Sequence, residues 1–488
     1  MRLTKDVYAT SLTLLTDLYQ LTMAYGYWKE GKAEQEAVFH LYFRKNPFAG
    51  GYTVAAGLEY VVEYLQQLQF TEEDLAYLAD LKGSQQTPLF EKEFIQYLRD
   101  MKFTCDVEAI PEGTVVFPNE PLVRVKGPLL QAQLIETPLL TIINFQTLIA
   151  TKAARIADAV KGDQLMEFGM RRAQGIDGAL SATRAAYIGG ADATSNLLAG
   201  KLFNIPVRGT HAHSWVQAFD TEEESFAAYG KAFPQDSVFL VDTYDTLEGV
   251  KKAVETAKKL EHLNFKLSGI RLDSGDLTYL SVEARKILDE AGFTDTNIVA
   301  SNDLDEHLIT SLKQEGAKIN VWGIGTKMVT AYDQPALGGV YKLAALRNAD
   351  GNWEYKIKLS EQLAKTSTPG VLQVRRFIDG NKYIADMIYN KLDAIPDEAL
   401  IVDPLDTTRR KHIDAGTAYK DLLVPVFSNG ELVYNLPALK DIKAKVKEEL
   451  NHLHESIRRY LNPHSYPAGL EEGLHNYKIA LILKLREE

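Results

Sequence analysis

SVFLVDTYDTLEGVKKAVETAKKLEHLNFKLSGIRLDSGD, residues 237–276, holds the pattern from which the rest of the chain is read. Short apolar runs sit near its two ends, Ser237–Val241 and Lys266–Ile270, and suit pleated backbone. Between them Leu247, Val250, Val254, Ala257 and Leu260 recur at helical spacing and form one stripe. Asp245 followed by Glu248 has the form of a capping box that would open this helix. A strand, a helix and another strand in that order make the repeating unit of a parallel sheet.

Working outward, apolar runs recur at Asn297–Ala300 and Asn320–Gly323 downstream, and near Gln164–Phe168, Ile188–Ala191 and Pro206–Gly209 upstream. A last one spans Gly339–Leu346. Helical stretches after Asp276 and Leu304 stop at Gly292 and Gly316, where a left-handed cap favours glycine. About eight strands with helical crossovers suit closure into a (β/α) barrel. Thr16 to Asp100 reads as mostly helical, with one strand at Ala37–Phe43. Short β-rich runs then follow between Cys105 and Gly127, and Pro128 opens a helical stretch towards Val160. Beyond Asn348 the alternation stops. Strand-like VLQVRRFI and LLVPVF give way to a helix expected over about Ala438–Leu461. The predicted division is an N-terminal α/β domain (1–160), a barrel (161–347) and a C-terminal α+β region (348–488).

The 488 residues exceed one ordinary core, and 45% hydrophobic with 25% charged residues is a globular composition. A net charge of −12 repels phosphate backbones, so neither nucleic acid nor an anionic membrane is an expected partner. Cys105 is the only cysteine, which excludes an internal disulfide and any cysteine-built metal cluster. The first twenty residues lack a clean signal-peptide core, and Thr137–Ala150 is too short to span a bilayer, so the cytoplasm is the expected location.

In barrel enzymes the chemistry gathers at the C-terminal ends of the strands. Here those ends read EFGMRR (167–172), RGTHAHS (208–214), VDTYD (241–245), IRLDSGD (270–276), ASNDLDE (300–306) and GIGTK (323–327). Acids, arginines, histidines or glycines thus close nearly every expected strand. The glycines of GIGTK would let backbone approach an anion closely. His211 and His213 can hold a metal, but none of the other histidines falls on a later strand end to complete a set. A neutral imidazole can instead accept a phosphoryl group. Arg271 can pair with a carboxylate or phosphate, Asp273 and Asp276 with Mg²⁺ or ribose hydroxyls, and Phe168 can stack on a flat ring.

Together the motifs resemble the nicotinate phosphoribosyltransferase family. The resemblance runs in order through TDLYQLTMAYGYW (16–28), FRKNPFAGGYTVAAGL (43–58), EFGMRRAQG (167–175), GGADATSN (189–196), GTHAHSWV (209–216), VDTYDT (241–246), RLDSGD (271–276), SND (301–303) and GIGT (323–326). It implies an irregular barrel of the type II phosphoribosyltransferase kind. It also implies synthesis of nicotinate mononucleotide and pyrophosphate from nicotinate and 5-phosphoribosyl-1-pyrophosphate, coupled to ATP hydrolysis through a phosphohistidine. By the same resemblance His213 is the phosphorylated residue, with Asp242 close enough to orient or polarise it. Phe168 and Tyr19 sandwich the pyridine ring, Tyr19 reaching the neighbour's site in a homodimer. Thr210 and Arg271 contact nicotinate. Arg171, Asp273, Ser301, Asn302, Gly325 and Thr326 surround the phosphoribosyl group, with Mg²⁺ held mainly by substrate phosphates.

Overall fold

The computed structural model describes residues 10–362 and 365–487. The chain separates into two compact units, one drawn from Leu148–Pro335 and the other from the described residues of Met1–Thr147 and Ala336–Glu488.

The first unit is built on six parallel strands: β1 (Gln164–Glu167), β2 (Ala193–Thr194), β3 (Ser237–Leu240), β4 (Leu267–Leu272), β5 (Asn297–Ala300) and β6 (Val321–Ile324). Their order is β2-β1-β6-β5-β4-β3, so the sheet is open, an incomplete barrel. Buried Phe239, Ile270, Leu272, Ile298 and Trp322 hold it to the surrounding core. The crossover read from 237–276 is present: helix Thr246–Lys259 joins β3 to β4, and the Asp245 carboxylate accepts the Glu248 amide at 2.9 Å. Asp276 caps Leu277–Glu290 in the same way, through the Tyr279 amide. Each such cap contributes about 1 kcal/mol. Gly292 and Gly316 both adopt φ +88°, the left-handed stop expected after their helices.

Three expected strands differ. Ile188 lies inside helix Gly175–Gly189, and the strand begins only at Ala193. The alanine-rich run before it favours helix, and Gly189 lies close against Ala153, where a side chain would meet its Cβ at 2.6 Å. Pro206–Gly209 supplies a single bridge, Val207 to Thr194. Val340–Arg347 is a strand, but it pairs antiparallel with Glu36–Tyr42 in the other unit. An apolar run reveals a strand without naming its partner.

That other unit contains a seven-stranded sheet in which Val340–Arg347, Glu36–Tyr42, Val123–Pro128, Asp106–Ala109 and Val424–Ser428 are successive antiparallel neighbours. Residues from both termini therefore share one sheet. A further six-stranded sheet is entirely C-terminal, with Leu372–Asp379 and Lys382–Asn390 forming its long hairpin. Arg376, fully buried on that hairpin, pairs with Asp386 at 2.5 Å and Glu449 at 3.0 Å. The helix expected to reach Leu461 ends at His452. Leu453 turns extended (ψ 149°), His454 caps a short second helix, and Leu461 is exposed. Among the described residues no helix is long and apolar enough to cross a membrane.

Candidate active site

Every sequence-predicted site residue except Tyr19 lies at or just beyond the C-terminal edge of the parallel sheet. Arg271, near the end of β4, organises the centre. Its Nε donates to Ser301 Oγ at 2.8 Å, Nη1 to Thr210 Oγ1 at 2.9 Å and Nη2 to Asp273 Oδ1 at 2.7 Å. A guanidinium has five N–H donors, so these bonds leave one on each terminal nitrogen. Ser301 Oγ also donates to Asp273 Oδ1. Burial works against the Asp273 carboxylate, but the Ser301 hydrogen bond and the Arg271 charge more than offset it, holding its pKa below the ordinary value.

The two histidines have opposite surroundings. His211 is buried edge-on to Tyr229 at 4.8 Å, and its Nε2 accepts the Leu240 amide at 3.2 Å. Burial lowers its pKa to about 4, so it is neutral and structural. The His213 side chain is 41% exposed, with Nδ1 3.1 Å from Thr243 Oγ1 and Nε2 3.9 Å from Asp273 Oδ2. Only His213 is open to a ligand, and the backbone bond to His211 leaves a metal pair without its first member.

Asp242 holds a loop. Its Oδ2 accepts the Asp273 amide at 3.0 Å and the Ser274 hydroxyl at 2.6 Å, and the hydrogen bond to His213 comes from the next residue, Thr243. Asp242 Oδ1 is buried without a hydrogen-bond partner.

Phe168 continues the ladder past β1, its amide donating to Ile324 O at 2.7 Å. Its ring fills the space above Gly323, where a Cβ would meet it at 2.6 Å. Gly323 therefore makes room for an aromatic ring rather than for an anion. Arg171 stands exposed on the Met170–Arg172 turn. Asn302 adopts φ 115° and turns its side-chain oxygen to the Asp303 amide. Gly325 and Thr326 open the short helix Thr326–Val329. No hydrogen bond links Arg171, Asn302, Gly325 or Thr326 to the Arg271 network; what they share with it is the sheet edge, where β6 lies between β1 and β5. Tyr19 lies in the other unit on helix Leu18–Lys29, 50% exposed.

Residues 14–144 match the nicotinate phosphoribosyltransferase N-terminal domain, 164–376 the family itself and 372–478 its C-terminal domain. The chain belongs to the nicotinate phosphoribosyltransferase family. It is 48% identical to the nicotinate phosphoribosyltransferase of Bacillus subtilis over 98% of this chain and 96% of that one. Identity to the human nicotinate phosphoribosyltransferase is 35%, covering 96% of each. The crystal structure of human nicotinic acid phosphoribosyltransferase superposes with a TM-score of 0.82 over 96% of this chain and 99% of that chain. The nicotinate-nucleotide pyrophosphorylase of Pyrococcus furiosus, at 20% identity and a TM-score of 0.68, shares the fold over 91% of this chain and 96% of that one.

Several residues around this candidate site were not singled out from sequence. Glu167, 1% exposed, accepts the Gly169 amide, the Thr183 hydroxyl at 2.9 Å and the Thr194 hydroxyl at 2.6 Å, clamping the bend that carries Phe168. Behind Thr326, Lys152 pairs with Glu306 at 2.7 Å and Asp333 at 2.6 Å, and Lys327 lies 3.7 Å from Asp333. An acid immediately before an aromatic at a strand end was the available signal for Glu167. Nothing in the spacing joins Lys152 to Asp333.

Proposed function

We propose that this phosphoribosyltransferase joins nicotinate to 5-phosphoribosyl-1-pyrophosphate in the salvage route to NAD. The observation carrying the reading is the Thr210–Arg271–Asp273–Ser301 network beside an open His213. The nicotinate carboxylate takes the remaining Arg271 donors and Thr210, while the ring lies on Phe168. Tyr19 of the partner subunit covers the other face in a homodimer. Exposed Leu12, Leu15, Leu18 and Met23 beside Tyr19 support an interface there. Arg171, Asp273, Ser301, Asn302, Gly325 and Thr326 hold the sugar phosphate and diphosphate.

Bond formation uses the lone pair of the pyridine nitrogen as the sugar C–O bond to pyrophosphate breaks. That nitrogen has no proton to lose, so orientation and charge stabilisation carry the rate rather than acid–base transfer. Among the described residues no cluster of three or more metal-ligating side chains occurs. Mg²⁺ commonly takes one or two carboxylates plus substrate phosphates, and the unpartnered Oδ1 of Asp242 with Asp273 fits that donor set. When bound, the ion neutralises the departing diphosphate. ATP transfers a phosphoryl group to the His213 imidazole, releasing ADP, and water later removes it. Asp242 serves by fixing the Asp273 loop.

The test is incubation with nicotinate, phosphoribosyl pyrophosphate, Mg²⁺ and ATP, followed by mass spectrometry of the small molecules and of the His213 peptide. Nicotinate mononucleotide and a phosphorylated peptide are expected. Failure to form the mononucleotide overturns the reaction, and full ATP stimulation in His213→Ala overturns the coupling. Nicotinate is expected to be preferred over nicotinamide, because only the acid forms a charged bond to Arg271.

A further inference from the structure

We infer that Lys152, fully buried behind the strand ends, is a positioning residue for the sugar-phosphate site: it ties the loop after β5 to the loop after β6 and fixes their spacing. The inference rests on the reading of Ser301, Asn302, Gly325 and Thr326 as groups that hold the phosphoribosyl moiety. β5 and β6 are parallel neighbours, so the two loops leave the sheet side by side. Each leads into a helix and brings an acid with it, Glu306 at the start of Glu306–Gln314 and Asp333 shortly past Thr326–Val329. Lys152 Nζ stands 2.7 Å from Glu306 Oε2 and 2.6 Å from Asp333 Oδ2. One cation thus joins a residue from each loop.

Both ends of the tie are stiff. Arg155, one turn along the same helix Glu136–Val160, donates to Glu306 Oε1 at 2.7 Å. Asn302 O accepts the Leu304 amide at 2.8 Å, and Asp305 Oδ1 accepts the Leu308 amide at 2.9 Å, so a shift of Glu306 is passed to Asn302. On the β6 side Thr330 Oγ1 donates to Thr326 O at 2.7 Å, and Lys327 Nζ stands 3.8 Å from the centre of the Tyr332 ring and 3.7 Å from Asp333. Each segment also holds a residue in the left-handed region, Asn302 at φ 115° and Ala331 at φ 45°. Such backbone is costly and persists only where its surroundings over-determine it. Burial opposes ionisation of Glu306 and Asp333, but the neighbouring cations, Lys152 first among them, more than offset it and hold both pKa values below the ordinary range. Without Lys152 the two carboxylates lose the cation between them, repel each other and let the loops spread. A phosphate gripped by both loops needs their separation fixed. The Thr210–Arg271–Asp273–Ser301 network has no member on β6 and does not depend on that loop.

Titration calorimetry of the full chain with phosphoribosyl pyrophosphate and Mg²⁺, read beside the KM for nicotinate and the melting temperature, tests this in wild type, Asp333→Asn, Lys152→Met and the double variant. Asp333→Asn, at a side chain 42% exposed, is expected to keep the wild-type melting temperature and KM for nicotinate. It should bind phosphoribosyl pyrophosphate roughly tenfold more weakly, the worth of one misplaced charged hydrogen bond. Both substitutions cut the same tie, so the double variant should bind no more weakly than the weaker-binding single variant. Additive losses in the double variant, or equal changes in the constants for both substrates, overturn the proposal. A wild type that does not bind phosphoribosyl pyrophosphate overturns the reading of the loops and this inference with it. Wild-type binding that Asp333→Asn leaves unchanged overturns this inference alone. Should Lys152→Met fail to fold, Asp333→Asn decides by itself.

Discussion

Arg376 and Arg271 each sit among carboxylates and hydroxyls, one in each unit, yet the two clusters are finished differently. Around Arg376 the exposure of guanidinium, Asp386 and Glu449 is 0%, 0% and 4%, and Val115 O takes a further donor at 2.8 Å. Burial and the adjacent Asp386 also push the Glu120 carboxyl well above its usual pKa, so it sits neutral beside the pair. Around Arg271 the side-chain exposures rise from 14% through 31% at Asp273 to 41% at His213, and donors are left over. The same residue types make a closed structural joint in one place and a receptive surface in the other. Leftover valence and access separate the two, and charge does not.

Substitution can break that comparison. Arg376→Ala leaves Asp386 and Glu449 buried without their cation and is expected to cost about 3–5 kcal/mol. Urea unfolding measures this, and an unchanged midpoint would remove the structural role. The histidine pair gives the next effect. His211, with its folded pKa near 4 against 6.5 unfolded, favours the neutral ring. Its contribution is complete above pH 6.5 and is lost as pH falls towards about 4, a loss on the order of 3 kcal/mol. This decline in unfolding free energy should persist in His213→Ala; its disappearance there would assign it to the wrong ring. Arg271→Ala should leave the melting temperature nearly unchanged while lowering kcat/KM for nicotinate by about 1.5–3 kcal/mol, roughly ten- to a hundredfold. Smallest is Glu167→Gln, which turns an amide towards donors that need an acceptor. About 1 kcal/mol is expected, appearing mainly as a higher KM for nicotinate through a misplaced Phe168.

Sequence reading recovered the crossover at 237–276 almost residue for residue, because capping and periodicity are local. The strand-end motifs likewise located Arg271, Asp273 and Ser301, now seen to be hydrogen-bonded together. What escaped depended on distance in the chain. Val340–Arg347 has the composition of a strand in either sheet, and only its antiparallel register with Glu36–Tyr42 decides the matter. The helix read over Ala438–Leu461 runs past its real end at His452 because buried Leu453, in extended backbone, and buried Ile457, on the next short helix, keep the apolar spacing of Ile442, Val446 and Leu450. The hydrogen bond to His213 is made by Thr243, in the bend after the strand, while Asp242 bonds the Asp273–Ser274 backbone and hydroxyl, and spacing alone does not say which of two neighbours meets the ring.

In the sequence, Leu148–Pro335 falls between the two segments that make up the other unit, which has a consequence for synthesis. Glu36–Tyr42 leaves the ribosome early, but its strand neighbour Val340–Arg347 emerges only after the whole of Leu148–Pro335 has been made. Until then one edge of that strand has no mate, while the crossover units of the inserted segment can already collapse on their own local contacts. The host sheet therefore closes later than the inserted segment, and nascent chains stalled before Arg347 would carry an organised parallel-sheet unit on an unfinished scaffold.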